Sequence, residues 1–207
     1  DDDGNVTQST MYSAIVQNQA QLTYNAVAAW LDKSYGADVT EAGHRTLGKI
    51  DKNPELQAQL ILQDTTARKL RVRRHEAGAL SFQSMELHPV MSPEGSVLDL
   101  ETRQQNRASY VIEDFMIASN QATAGFLDSK GFPSIRRVVR VPSRWERIVA
   151  LASSLGSELP PEPDGKALEN FLQQQQKSNP AHFGDLSLAI IKLLGRGEYM
   201  VKLPHEE

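Results

Sequence analysis

The clearest pattern of apolar and polar positions runs from Asn106 to Gly131 and predicts a long amphipathic helix. Apolar or small side chains recur there at steps of three and four residues, which is the spacing of one helix face. The residues on this face are Ala108, Ile112, Phe115, Met116, Ser119, Ala122, Thr123 and Phe126. Gly131 ends the pattern, because glycine readily adopts the left-handed conformation that closes a helix. We expect one side of this helix to be buried.

Shorter patterns precede this helix. Alternation predicts strands, three- and four-residue periodicity predicts helices, and clusters of Gly, Asp and Thr predict loops. The predicted elements are a strand over 6–17, a helix from Thr23 that ends at 33–36, a loop over 34–52, a helix from Asn53 to Arg74, and a hairpin of strands 80–91 and 97–100.

The patterns after the long helix continue the mixture of strands and helices. The predicted elements are a strand over 135–141, a helix from 142 to 155, a linker over 159–165, helices over 166–177 and 185–194, and a strand over 198–203. These elements lack the regular βαβ order that builds a parallel sheet. We therefore predict an α+β fold of mixed helices and antiparallel strands around the long buried helix.

The composition excludes several classes of protein. A chain of 207 residues with 40% apolar side chains can bury a sizeable core. The absence of cysteine excludes disulfides and thiolate metal sites, and no apolar run has the length of a membrane span. We expect a cytoplasmic protein with no membrane partner. Because the chain starts with Asp1 and not with methionine, and stops at Glu207 directly after a strand-like run, we interpret both ends as lying within a larger protein.

Charge is distributed unevenly around a net value of −4, with basic clusters at Arg68–Arg74 and Arg136–Arg147. Arginines bind phosphates, and aromatic side chains such as Tyr24 and Phe82 can stack on bases. This combination is compatible with single-stranded RNA as a partner. The alternative is that Tyr24 and Phe82 are core residues and that the basic clusters are solvated surface.

Glu113 is an unusual residue for the long helix, because it shares a face with Ser109, Ile117 and Asn120 that is otherwise small and apolar. Two interpretations remain open. The carboxylate pairs with an arginine at the edge of the core, or it accepts a hydrogen bond from a ligand.

No motif in the chain indicates a metal ligand or a catalytic nucleophile. The five histidines do not have metal-ligand spacing, and Asp1–Asp3 lacks the spacing of a calcium loop. Gly195–Gly197 follows a predicted helix, so we interpret it as a helix end and not as a phosphate-binding loop.

Three segments carry a resemblance to a known family. Residues 22–31 (LTYNAVAAWL), 73–82 (RRHEAGALSF) and 106–123, which contains VIEDFMIASN, resemble the RNB catalytic domain of the ribonuclease II and ribonuclease R family. The resemblance is close from about residue 6 to 130 and looser from 131 to 207.

This resemblance implies processive hydrolysis of single-stranded RNA from its 3′ end to nucleoside 5′-monophosphates, with Mg²⁺ as cofactor. It also implies three RNA-binding residues. Tyr24 corresponds to a tyrosine near the RNA 3′ end, Phe82 to an aromatic residue that clamps the terminal bases, and Glu113 to a glutamate that distinguishes RNA from DNA at the terminal ribose.

Two family motifs do not occur in the chain. These are the metal-binding aspartates, spaced as D, five residues, D, one residue, DD, and the catalytic arginine in a Ser-Pro-x-Arg-x-Tyr run. We expect the first upstream and the second downstream, so that residues 1–207 form the central segment of one RNB domain, without catalytic or metal-binding residues of its own. The alternative is a catalytically inactive RNB homologue that acts as an RNA-binding or protein-binding scaffold.

Overall fold

A computed structural model describes residues 1–34, 40–82, 86–103, 105–139 and 141–204. The helices are α1 (Tyr24–Asp32), α2 (Glu41–Asp51), α3 (Pro54–Glu76), α4 (Arg107–Ser129), α5 (Trp145–Ser154), α6 (Gly165–Ser178) and α7 (Phe183–Leu194), with a 3₁₀ turn at Pro180–His182. The strands are β1 (Glu86–Met91), β2 (Val97–Arg103), β3 (Ser134–Val138) and β4 (Glu198–Lys202). The mixture of helices and antiparallel strand pairs confirms the α+β class.

The chain divides into two compact units. Unit 1 contains Asp1–Arg73 and Gln105–Lys130, and unit 2 contains Arg74–Gln104 and Gly131–Glu207. In unit 1, α1 packs against α2 and α4. The buried residues at their centre are Val27, Ala28, Ile50, Leu60 and Ala108.

The loop predicted over 34–52 is wrong where Glu41–Asp51 form helix α2, and its residues 35–39 lie outside the described residues. Thr40 begins the helix, because its hydroxyl accepts a hydrogen bond from the backbone N–H of Gly43 at 3.3 Å. Leu47 and Ile50 are buried one turn apart, but the other buried positions are Gly43 and Thr46. The apolar period was therefore too sparse to reveal the helix from sequence.

The predicted strand over 6–17 is also wrong, because this segment contains no strand in the structure. Its apolar side chains Val6, Met11 and Ile15 are exposed. Alternating residues favour an extended backbone, but a strand forms only where a second strand satisfies its hydrogen-bonding groups.

Helix α4 confirms the long predicted helix. Asn106 caps it reciprocally with Ser109: the Asn106 side chain accepts from the Ser109 backbone N–H, and the Ser109 hydroxyl accepts from the Asn106 backbone N–H. The predicted buried face is wrong at Ile112 and Met116, which are 44% and 60% exposed.

The buried face of α4 instead contains Ala108, Val111 and Asp114. It therefore includes a carboxylate, which a count of apolar residues cannot identify. The reason is a long-range ion pair that Asp114 forms with α3, as described with the candidate site.

Unit 2 contains both strand pairs. β1 and β2 form the predicted antiparallel hairpin, with a turn closed by the Ser92 N–H to Ser96 carbonyl hydrogen bond and with Gly95 at φ +85°. Residues 83–85 of the predicted 80–91 strand lie outside the described residues. β3 and β4 pair antiparallel, which confirms two strands predicted about sixty residues apart.

The core of unit 2 is formed by α5, α6 and α7. Its buried residues are Trp145, Ile148, Ala152, Leu159, Leu168, Phe171, Leu172, Phe183 and Ile190. The predicted linker 159–165 connects α5 to α6. It begins in this core with Leu159, and Asp164 near its other end caps α6 by accepting from the backbone N–H groups of Lys166 and Ala167.

Candidate nucleic-acid interface

Tyr24, the first of the predicted RNA-binding residues, is the first residue of α1 and its side chain is 42% exposed. The start of α1 is held to α2, because the Thr23 backbone N–H donates to the Thr46 hydroxyl at 3.3 Å. The next turn is anchored by the buried residues 26–28. The backbone of Tyr24 therefore has a fixed position while much of its ring faces solvent.

Glu113 lies on α4, half-buried, in the same unit as Tyr24. The Gln105 amide donates to Glu113 Oε2 at 3.4 Å, and the neighbouring Asn106 amide donates to Asn25 Oδ1 at 2.9 Å. Two separate amide hydrogen bonds thus lie beside the predicted contacts, one at the residue after Tyr24 and one at Glu113. Such hydrogen-bonding groups are suited to a polar ligand such as a ribose.

Asp114, the residue after Glu113, forms an ion pair with an arginine of α3. Asp114 is 2% exposed and accepts from Arg71 Nε at 3.0 Å and Nη2 at 2.6 Å. The Arg71 guanidinium also lies 4.0 Å from the centre of the Tyr110 ring. The structure therefore assigns a buried ion pair to Asp114.

A second ion pair joins α3 and α4 to the end of α1. Arg107 donates to Asp64 Oδ1 at 2.7 Å and Oδ2 at 2.5 Å, to the Leu31 carbonyl at 2.8 Å, and to Asp32 Oδ1 at 2.9 Å. The hydrogen bond from Arg107 holds the pKa of the Asp64 carboxyl below its ordinary value, and the bond to Asp64 raises the pKa of Arg107. The sequence analysis did not predict this ion-pair junction of Arg107 with Asp64 and Asp32.

One signal could have identified Asp64. Leu60, Asp64, Ala67 and Arg71 follow each other at steps of three and four residues along α3, so the acidic and basic positions continue an apolar stripe. Charged residues on such a stripe are usually paired when buried. The partners, however, are more than forty residues away.

The predicted basic cluster Arg68–Arg74 is largely engaged within unit 1. Arg68 pairs with Asp64 at 3.2 Å, Arg71 with Asp114, and Arg73 donates to Asn5 Oδ1 at 2.7 and 2.9 Å. The arginines 68, 71 and 107, with Asp64 and Tyr110, line a cavity of about 300 Å³. The neighbouring carboxylates offset its positive charge.

Phe82, the third predicted residue, lies in unit 2 and packs partly buried against the core of α5, α6 and α7. Its position is set by Glu169, which is 1% exposed and accepts from the Ser81 backbone N–H and hydroxyl, both at 2.6 Å. His75 Nδ1 lies 3.1 Å from Glu169 Oε1 and 2.8 Å from the Ala79 carbonyl.

Ser81, His75 and Glu169 have the residue types of a nucleophile triad but not its geometry. In a triad the serine and the carboxylate contact different nitrogens of the histidine ring, whereas here Ser81 Oγ, at 3.2 Å, and Glu169 Oε1, at 3.1 Å, both face His75 Nδ1. The Ser81 hydroxyl also donates directly to Glu169 Oε1 at 2.6 Å. The arrangement fixes the segment before Phe82 and does not activate a nucleophile.

Comparison with known proteins identifies the family. The model of the RNB domain matches residues 1–207. The chain belongs to the RNB domain family. This confirms the resemblance found in the sequence.

Relatives of this RNB chain include ribonuclease R of Aquifex aeolicus, 27% identical over 158 residues that cover 75% of the chain and 21% of that protein. Ribonuclease R of Escherichia coli is 27% identical over 208 residues that cover 87% of the chain and 24% of that protein. The chain thus spans about a quarter or less of the length of these relatives.

Solved structures show the same fold. Apo RNase R of Mycoplasma genitalium has a TM-score of 0.64 at 16% identity, covering 86% of this chain and 26% of that one. The same protein in complex with ribose-methylated single-stranded RNA has a TM-score of 0.65 at 16% identity, with the same coverage of both chains.

Two further findings concern metals and membranes. In the described part of this RNB chain, no three His, Asp or Glu side chains are grouped so that they could hold a metal ion. None of its described helices is long and apolar enough to cross a membrane.

Proposed function

We propose that the protein carrying this RNB chain is a processive 3′-to-5′ exoribonuclease that hydrolyses single-stranded RNA to nucleoside 5′-monophosphates. The family match over residues 1–207 supports a ribonuclease. The structure of a relative in complex with single-stranded RNA supports that substrate. The observation that carries the proposal is the placement of Tyr24 and Glu113 on the packed helices α1 and α4, with amide hydrogen bonds at the residue after Tyr24 and at Glu113.

In this proposal Glu113 reads the sugar. A carboxylate is a strong acceptor for the 2′-hydroxyl, which RNA has and DNA lacks. Because Asp114 and not Glu113 holds Arg71 in the α4 ion pair, the Glu113 carboxylate can serve the ligand without breaking that pair.

The aromatic residues bind the bases and the end of the chain. Tyr24, exposed at the start of α1, lies near the RNA 3′ end, and Phe82 stacks on terminal bases, which is sequence-tolerant because every base has a π-face. The chain thus supplies substrate-reading residues of the domain.

Mg²⁺ is the cofactor that the resemblance implies, but the described residues do not fit a site for it, because no group of metal-ligating side chains is present among them. We therefore assign no step to the ion here. We propose that its aspartate ligands lie upstream of this central segment and the catalytic arginine downstream, so that the segment alone does not hydrolyse RNA.

The test is an assay of the full protein on single-stranded RNA labelled at its 5′ end, with Mg²⁺ present. We expect nucleoside 5′-monophosphates and a short end product without intermediates, which indicates processive attack from the 3′ end. A protein that binds this RNA but leaves it intact would contradict the enzyme and support the scaffold alternative.

A further inference from the structure

A second surface, in unit 2, has the chemistry of a ligand-binding face. β3 and β4 form a two-stranded ribbon in which Ile135 lies opposite Val201 and Arg137 opposite Tyr199. These four side chains project from one face, which we call the ribbon face, because alternate strand residues share a face. All four are exposed, and Ile135 and Tyr199 are each 76% exposed.

The charge around the ribbon face is positive. Arg137 lies on the ribbon face and Arg196 lies in the turn before β4, whereas Arg136, Lys202 and the carboxylate Glu198 occupy the alternate positions and project from the opposite face. Arg144 adds another cation near this turn, because its guanidinium donates to the Lys192 carbonyl at 3.1 Å. An anionic ligand is therefore favoured here.

Arg137 is held close to the backbone of the turn. A Cβ atom at Gly197 would lie 2.9 Å from Arg137 Nε and 3.4 Å from Cζ, so only glycine leaves room for this position of the guanidinium. Because Arg137 is directly opposite Tyr199, the two side chains project from paired positions on the same face of the ribbon.

We propose that the ribbon face is a second binding surface for single-stranded RNA, on which Tyr199 stacks on a base and Arg137 contacts a phosphate. Aromatic rings on a sheet beside cations bind single strands, since stacking requires unpaired bases and arginine forms paired hydrogen bonds with phosphate. The identity of the ligand rests on the proposed function. The residues of the ribbon face do not include Tyr24, Phe82 or Glu113.

The first experiment maps the contact directly. The full protein is irradiated with a 4-thiouridine-containing RNA in EDTA, and cross-linked peptides are identified by mass spectrometry. We expect an adduct within residues 196–202. Absence of an adduct there overturns the inference.

The second experiment measures affinity by fluorescence anisotropy in EDTA with the same RNA. We expect Tyr199→Ala to weaken binding about tenfold and Tyr199→Phe to retain it within about twofold, because the phenyl ring keeps the stacking face. Gly197→Ala keeps every charge but displaces the Arg137 side chain, so it should also weaken binding.

Tyr199→Leu is the matched control for folding, because it keeps an apolar cross-strand side chain without an aromatic face. A loss of RNA binding in the leucine variant at an unchanged melting temperature supports the inference. If the leucine and alanine variants both bind RNA with the affinity of the parent protein, the inference is overturned. This holds also if these variants lose a protein partner or self-association.

These measurements separate this inference from the proposed function, because binding in EDTA does not require hydrolysis. RNA hydrolysis without an adduct at the ribbon face overturns only the inference. An adduct without hydrolysis supports the inference and contradicts the exoribonuclease.

Discussion

Two consecutive carboxylates on α4 have different surroundings. Successive helix residues project roughly 100° apart, so Asp114 is buried against α3 while Glu113 is half-buried and accepts from the Gln105 amide. Arg71 depends on Asp114 for two short hydrogen bonds, and loss of that carboxylate would leave a half-buried cation without them. The RNB resemblance predicts that Glu113 is more important for the ligand than for the fold.

The variants Glu113→Ala and Asp114→Ala test this difference as a matched pair. A hydrogen bond to a charged group contributes about 1.5–3 kcal/mol, so Glu113→Ala should reduce the preference for RNA over DNA roughly ten- to hundredfold. Asp114→Ala should instead destabilise the fold by about 3–5 kcal/mol, because it breaks a buried ion pair.

Cleavage of matched RNA and RNA–DNA chimeric strands, with thermal melts of each variant, measures both effects. An unchanged RNA preference together with a sharply lowered melting temperature for Glu113→Ala would show that Glu113 supports the fold.

Phe82 combines partial burial with a predicted stacking role, so its truncation should affect both stability and binding. Phe82→Ala should weaken single-strand binding by about 1–3 kcal/mol for the lost base stack. Phe82→Leu is the control, because it fills much of the same core space without a ring. Anisotropy titrations of the folded variants decide the role: a leucine variant that binds RNA normally would make Phe82 a core residue only.

At the scale of elements, three helices of unit 1 meet at one ion-pair junction. Arg107 at the start of α4 holds the last turn of α1 through Leu31 and Asp32, and it holds α3 through Asp64, which is 4% exposed. Since α1 also carries Tyr24, this junction connects the packing of the unit to the position of a predicted RNA contact.

A double-mutant cycle on Arg107 and Asp64 measures the junction. Each single change, Arg107→Gln or Asp64→Asn, should cost roughly 3 kcal/mol of unfolding free energy, because it leaves a buried partner uncompensated. The double variant should cost less than the sum of the two. Urea unfolding gives these values, and strict additivity would show that the pair does not act as a unit.

The same junction should be sensitive to acid. Because Arg107 lowers the pKa of folded Asp64 below its ordinary value of 3.8, the stabilisation is fully present above that value and is lost as pH falls through the folded pKa. Asp64→Asn should therefore flatten the decline in stability of the protein below about pH 4. Circular dichroism melts from pH 6 to 2 measure this, and parallel curves for parent and variant would argue against it.

At the scale of the whole molecule, a net charge of −4 coexists with local positive surfaces. Several arginines of the 68–74 cluster are engaged in ion pairs or hydrogen bonds, whereas the ribbon face places Arg137 on the surface. The sequence analysis treated the basic clusters Arg68–Arg74 and Arg136–Arg147 alike. We now expect the electrostatic attraction to RNA to arise mainly from unit 2.

This distribution predicts a steep fall of RNA affinity with salt, because each phosphate contact releases counterions. Arg137→Gln should reduce the slope of log K against log salt by about one. Arg45→Gln, which removes an arginine exposed in a surface pair with Glu41, is the control and should leave the slope unchanged. A flat plot for the parent protein would count against RNA as the ligand.

The sequence by itself determined the elements whose signals are local. The extent of α4 with its closing Gly131, the proline start of α3, the Gly95 hairpin and the strands β3 and β4 all depend on nearby residues, and so did the motifs that placed the chain in the RNB family. Tyr24, Phe82 and Glu113 came from that resemblance, and their roles in binding RNA stay predictions.

Tertiary structure decided what depends on distant partners. It formed α2 from a segment with few apolar residues, and it left 6–17 without a strand partner. It also turned α4 so that Asp114 faces α3 and paired Asp64 with Arg107 across 43 positions of sequence. The physical reason is that a carboxylate has the same local pattern whether it faces solvent or an arginine, and only folding brings its partner within hydrogen-bonding distance.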